Sequence, residues 1–219
     1  MKPGIDEAID LLHAASAGVL ASHTAALPGY PYASIIPFVP DQGSHPVFLV
    51  SGLAEHTQNL LADPRASFLV WEAGDGSVLT SARLTLVGNA QPFAADPLLV
   101  ERYLRYQPDA RRYLQLGDFR FFRLQAERLR YIAGFGRMGW IEGERLAAAA
   151  GITLAEEAAL IERVQARLHP PQELLGVDAW GADLRQGRLR RRLPFIRRPA
   201  AAADIEQAFA VAMERSQER

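Results

Sequence analysis

The stretch FLVSGLAEHTQNLLADPRASFLV, residues 48–70, decides the reading of the fold. Its apolar opening belongs to a strand over 46–51 that ends at Ser51-Gly52. Residues 54–62 read as a short helix, and Asp63-Pro64 stops it, because a proline ring disfavours helical backbone at the residue before it. Residues 66–72, ASFLVWE, then return as a second strand. The unit is therefore strand, short helix, strand, with turn residues on both sides. Upstream, GVLASHT (18–24) and YASIIPFV (32–39) read as strands separated by the turn-rich stretch 27–31. Downstream, 82–93 is a long strand in which Gly88 marks a bulge or a close approach, and 119–136 supplies the last long strands.

Helices fill the remaining space. Ile5, Ala8, Ile9 and Leu12 recur at helical spacing with Asp6, Glu7 and Asp10 on the other face. Residues 96–106 form a helix with Asp96 as N-cap and Pro97 in its first turn, and a second short helix runs over 109–114. About six strands with inserted helices make the first 140 residues a β-barrel-like α+β unit. Past Gly143 the chain turns alanine-rich. A helix near 154–168, a hairpin built from VDAWGADL and RLRRRLPF about residues 185–187, and a final helix carrying Ile205, Phe209, Ala212 and Met213 give an α–β–β–α tail. The boundaries read as 1–145 for the barrel and 150–219 for the tail.

Composition removes whole chemistries. There is no cysteine, hence no thiolate nucleophile, disulfide, iron–sulfur cluster or cysteine-ligated zinc. Of the 24 basic residues only Lys2 is a lysine, so fixed positive charge in a site comes from arginine or a protonated histidine. No Walker-type phosphate loop is present. A net charge of −1 gives no overall pull toward nucleic acid or an acidic membrane. No apolar run is long enough to span a bilayer, and the N-terminal stretch carries acids inside its apolar pattern, so the chain reads as cytoplasmic.

The motifs are modest. GFGRMG, residues 134–139, satisfies G-x-G-x-x-G but lacks the following helix of a dinucleotide fold. Ser51 at a strand end, with His56 and Thr57 at the start of a helix, is an arrangement that holds a phosphate or carboxylate, or equally one that caps a surface helix. The five histidines show no metal-ligand spacing. The seven arginines of 185–198 read by default as one solvated basic face of a hairpin.

Taken together, PYASIIPF (31–38), the 48–70 segment, RLTLVGNAQPF (83–93), YLQLGDFRFFRL (113–124) and GFGRMGWI (134–141) resemble the FMN-binding split-barrel superfamily of pyridoxamine phosphate oxidase. The nearest branch is the heme-utilisation split-barrel proteins, some with a small appended C-terminal domain. The resemblance implies a six-stranded antiparallel split barrel with flanking helices, forming a homodimer with a small-molecule cofactor site at the interface. For FMN, it implies Ser51, His56, Thr57 and Arg83 at the phosphate and Tyr32, Ser34 and Trp140 at the ring, in a flavin-dependent oxidoreductase. The second strand offers no cation where flavin-binding members have one. For heme b, the alternative, it implies Arg137 at a propionate, Asp118 orienting the iron ligand, and His169 on the iron. A third reading is a dimeric binding module without cofactor.

Overall fold

The structure is a computed structural model that describes residues 4–72, 74, 77, 79–134, 136–148, 151–166, 168, 170–187, 189–199 and 201–217. The chain opens with α1 (Ile5–Ala14), then β1 (Ala17–His23), β2 (Pro31–Pro37), the two-residue β3 (Val39–Pro40) and β4 (Pro46–Ser51). Helix α2 (Glu55–Ala62) leads to β5 (Arg65–Trp71) and β6 (Ala82–Pro92). Helices α3 (Pro97–Tyr106) and α4 (Ala110–Tyr113) precede the long β7 (Phe119–Ala133), β8 (Met138–Glu142) and the single turn α5 (Glu144–Ala147). All eight strands join one antiparallel sheet in the order β2-β1-β5-β6-β7-β4-β3, with β8 on β7. This is a curled half-barrel with helices around it, an α+β fold of the kind the strand pattern implies.

The core lies inside the curl. Alternate residues of β5, β6 and β7 point inward, so Phe68, Val70, Leu84, Leu86, Phe122, Leu124 and Leu129 are buried together. Phe68 meets Phe38 edge-on at 4.9 Å and Phe48 at 5.0 Å. Helix α1 adds Ile9 and Leu12, neither with any exposed surface. Each such side chain contributes about 1.5–3 kcal/mol. Gly88 is the bulge: the β6–β7 register shifts between Val87 and Gly88, and a Cβ there would sit 1.9 Å from the Gln125 carbonyl oxygen. Asp96 caps α3 by accepting from the Leu98 N–H at 2.8 Å.

The tail contains one strand more than its α–β–β–α reading. After α6 (Leu154–Gln165) come β9 (Gln172–Val177), β10 (Gly181–Gln186), β11 (Leu189–Pro194) and α7 (Ile205–Gln217), and the sheet order is β11-β10-β9. VDAWGADL spans the turn between β9 and β10 instead of forming one strand. The β10–β11 hairpin turns at Gly187, whose φ of 61° favours glycine.

The arginine-rich hairpin is a solvated basic face only in part: Arg191, Arg197 and Arg198 are exposed, but Arg190 and Arg192 turn inward. Arg192 is 5 % exposed at its side chain and bonds Asp178 (2.8 Å), Asp183 (3.2 Å) and Asp10 of α1 (3.0 Å). Arg190 donates to the His13 carbonyl and lies over the Tyr106 ring. Across this seam His13 Nδ1 meets Asp183 at 2.7 Å, and the Tyr106 hydroxyl donates to the same carboxylate at 2.5 Å. Arg102 of α3, 2 % exposed, donates to Glu157 of α6 and to the Pro40 carbonyl. Gly176 lies against this group: a Cβ there would sit 2.1 Å from the Tyr106 hydroxyl. Arg102 and Arg192 pair with acids because burying an unpaired guanidinium costs several kcal/mol, whereas Nε and Nη1 of Arg190 are buried without a partner among the described residues.

Candidate functional site

The segment read as a phosphate cradle is closed on itself. Ser51 stands at the end of β4 and donates its hydroxyl to Asp118 Oδ2 at 2.6 Å, while accepting from the Leu53 N–H at 3.1 Å. Thr57, fully buried, donates to the Ser51 carbonyl at 2.7 Å. His56 Nδ1 lies 3.3 Å from the Ser34 hydroxyl, its Nε2 is buried without a partner among the described residues, and burial pushes its pKa down. Tyr32 shares the Ser34 face of β2 and is half-exposed. The structure thus brings Ser34, Ser51, His56, Thr57 and Asp118 into one neighbourhood.

Arg83 does not join them within one chain. Ser51 pairs with Phe119 at the start of β7, and Arg83 pairs with Ile132 near its end. Those thirteen residues of extended strand span roughly 40 Å. Reading β6 as a neighbour of this site was therefore wrong for a single chain, because β7 runs the length of the sheet between them. Among the described residues no arginine bonds any of the five clustered side chains. The charge that touches Ser51 is a carboxylate, and two like charges about 4 Å apart cost several kcal/mol near a protein surface. These residues do not fit an FMN phosphate in one chain.

The other expected residues lie elsewhere. Trp140 stands on β8, opposite Arg130 of β7. It is 49 % exposed and flanked by two guanidiniums, Arg128 at 4.9 Å and Arg130 at 5.6 Å from its ring centroid. The β6–β7 register sets Val87 against Arg128, Thr85 against Arg130 and Arg83 against Ile132. All share the outer face of the sheet, since their neighbours Leu84, Leu86, Leu129 and Tyr131 point inward. Arg137 follows β7 and turns to α1, where it pairs with Glu7. His169 lies outside the described residues.

The outer face continues as an apolar surface. Ile35 is 72 % exposed, and Val87, Trp71 and Met138 are half-exposed. A groove of about 510 Å³ crosses it, walled by Ala21, Pro31, Val87 and Gly88, with His23 and Arg65 among its polar lining. Sequence reasoning missed Arg128, Arg130 and His23 here. The signal was present: in FRLQAERLRY arginines sit at alternate positions once the bulge is counted, so they share a face. The outer face therefore presents apolar surface, two exposed indoles (Trp71 and Trp140) and several guanidiniums, the chemistry that receives a flat apolar ring system bearing carboxylates.

An antiparallel sheet curled into a half-barrel with helices at its rim defines a split-barrel protein. Residues 4–147 match the family model described as CREG, beta-barrel, and the chain belongs to that family. It is 33 % identical over 132 residues to "Non-canonical heme oxygenase HOZ, chloroplastic" of Arabidopsis thaliana, a match that takes in 59 % of this chain. The match spans only 40 % of that relative's length. Among solved structures, a heme binding protein from Mycobacterium smegmatis is 28 % identical, with both chains covered completely and a TM-score of 0.62. A protein of unknown function from Agrobacterium tumefaciens is 26 % identical over 94 % of each chain, with a TM-score of 0.75. The second and third matches include the tail.

Proposed function

We propose that this chain binds heme on the outer face of its sheet, at the interface of a homodimer. The observation that carries the reading is the pairing of an exposed apolar face with the Arg128–Trp140–Arg130 cluster. Apolar surface suits a macrocycle, and guanidiniums suit propionates, which they bind bidentately. Two relatives are named for heme, one as an oxygenase and one as a binding protein, and this supports the choice. The cradle expected for FMN has its serine proton committed to Asp118, which favours heme over flavin.

When bound, heme supplies iron-centred oxygen chemistry, so a heme-degrading oxygenase is the enzymatic form of this proposal. The protein's part is to hold, orient and exclude water. Of the histidines, His13 is locked to Asp183, and the free nitrogens of His45 and His56 are buried. His169 and the groove residue His23 are therefore the candidates to ligate iron. The test is a heme titration of the full chain followed by absorbance. A saturable Soret band that weakens in Arg130→Ala and shifts in His169→Ala or His23→Ala is expected. Heme uptake no stronger than by an unrelated protein would overturn the reading.

A further inference from the structure

The arginines of β11 divide between the two faces of the tail sheet. Side chains alternate along a strand, so Arg190 and Arg192 turn toward α1 while Arg191 and Leu193 turn toward α7. Leu193 packs there with Ile205, Phe209 and Ala212 of the tail core. Beside this packing, a groove of about 360 Å³ opens between β11 and the last turns of α7. Leu193, Pro194, Phe195, Ile196 and Ala212 supply its apolar lining. Ile196 is 59 % exposed, an aliphatic side chain standing in water next to neighbours that belong to the core.

The charge in this groove has one sign. Arg191, Arg215 and Ser216 are its polar lining, and no acid joins them. They stand together: Arg191 Nη1 donates to the Ser216 hydroxyl at 2.8 Å, and Arg215 is the residue before that serine. Arg215 is exposed and makes no ion pair or side-chain hydrogen bond among the described residues. On the opposite face of the same strand, by comparison, Arg192 meets three carboxylates. Two guanidiniums with unused N–H groups beside an apolar groove call for an anion that carries hydrocarbon. The volume falls in the range of roughly 300–1,000 Å³ that holds small ligands. A peptide matches it poorly. Beyond the guanidiniums only one hydroxyl is present to meet backbone amides, and Pro194 in the wall has no N–H to offer an added strand. A plain hydrocarbon chain leaves no polar group unpaired there, and a carboxylate at its end is what guanidiniums bind best.

We propose that the groove between β11 and α7 binds an aliphatic monocarboxylate, a medium-chain fatty acid, with its carboxylate received by Arg191 and Arg215 and its chain laid along Leu193, Phe195 and Ile196. The site shares no residue with the groove assigned to heme. Dodecanoate is the probe, titrated below its micelle concentration into the methyl-labelled full chain and followed by NMR, with dodecanol as the uncharged control of equal length. The expected result is saturable shifts at the methyl groups of Leu193, Ile196 and Ala212. Affinity falls about tenfold in Arg215→Gln and further when Arg191→Gln is added, as loss of charge-assisted hydrogen bonds requires, and dodecanol binds at least tenfold more weakly than dodecanoate. Arg215 is exposed, and an unchanged melting temperature confirms that its variant folds. Absence of saturable shifts at those methyls, shifts centred instead on Ile35 and Val87 of the outer face, equal affinity for dodecanol, or unchanged affinity in folded Arg215→Gln would each overturn the proposal.

Discussion

Asp183 shows how a single carboxyl ties this molecule together. It has no exposed surface and receives His13, Arg192 and the Tyr106 hydroxyl. Burial pushes its pKa up, but the contacts with His13 and Arg192 outweigh burial and hold it well below the usual carboxylate range. Asp178 is shifted the same way, down on balance against burial. A depressed carboxyl stabilises the fold above its unfolded value, near 3.8, and that stability is lost as pH falls through the folded value. Asp10 acts in the opposite sense, because burial dominates and raises it. The wild type should therefore lose stability steeply below about pH 4, and Asp183→Asn should be weaker at pH 7 with a flatter acid limb. Urea unfolding across pH 3–7 measures this; a parallel profile in the variant would contradict it. None of these partnerships was legible from the sequence: His13 and Asp183 are 170 residues apart. The same holds for Ser51. Its place at a strand end was readable, but Asp118, 67 residues on, takes its proton, and that decides against a phosphate.

At the scale of elements, local signals were sufficient wherever the period was unmixed. The strands around 46–51 and 66–72, the Asp96-capped helix and the Gly88 bulge all follow from residue order. Strand β9 escaped because its apolar run, Leu174 to Val177, merges with the turn Asp178–Trp180 and lacks alternation: it is buried on both faces. The edge strand β2 is the opposite case. Nearly all of it is exposed, including Ile35, although it reads as apolar. An unpaired edge with exposed aliphatic side chains is normally covered. A second copy of the chain is the proposed cover, so Ile35→Arg should convert a dimer to a monomer in light scattering with little change in helix content. An unchanged mass would remove the outer face from the interface.

At the scale of the whole molecule, the arginine-rich hairpin changes meaning. Seven arginines in fourteen residues read as a basic surface, yet Arg192 faces inward onto acids of α1 and β10, and Arg190 turns inward onto the His13 carbonyl and the Tyr106 ring. The tail is fastened by buried charge along one side and by Leu175 packed with Tyr103 and Tyr106 on the other. We expect barrel and tail to unfold as one cooperative unit. Arg192→Leu should lower stability by about 3–5 kcal/mol, since it removes the guanidinium shared by Asp10, Asp178 and Asp183; two separate calorimetric transitions in the wild type would show instead that the tail folds alone. The lone lysine also gains a place in this picture. With lysine absent beyond Lys2, every cation on the outer face is an arginine, suited to carboxylates rather than tuned as a base. The most direct measurement loads the full chain with heme and, separately, with FMN, and passes each through a sizing column with absorbance detection. Heme should travel with the dimer and be lost with Ile35→Arg, while FMN is left behind; co-elution of FMN with the dimer, or heme retention untouched by Ile35→Arg, would contradict the account.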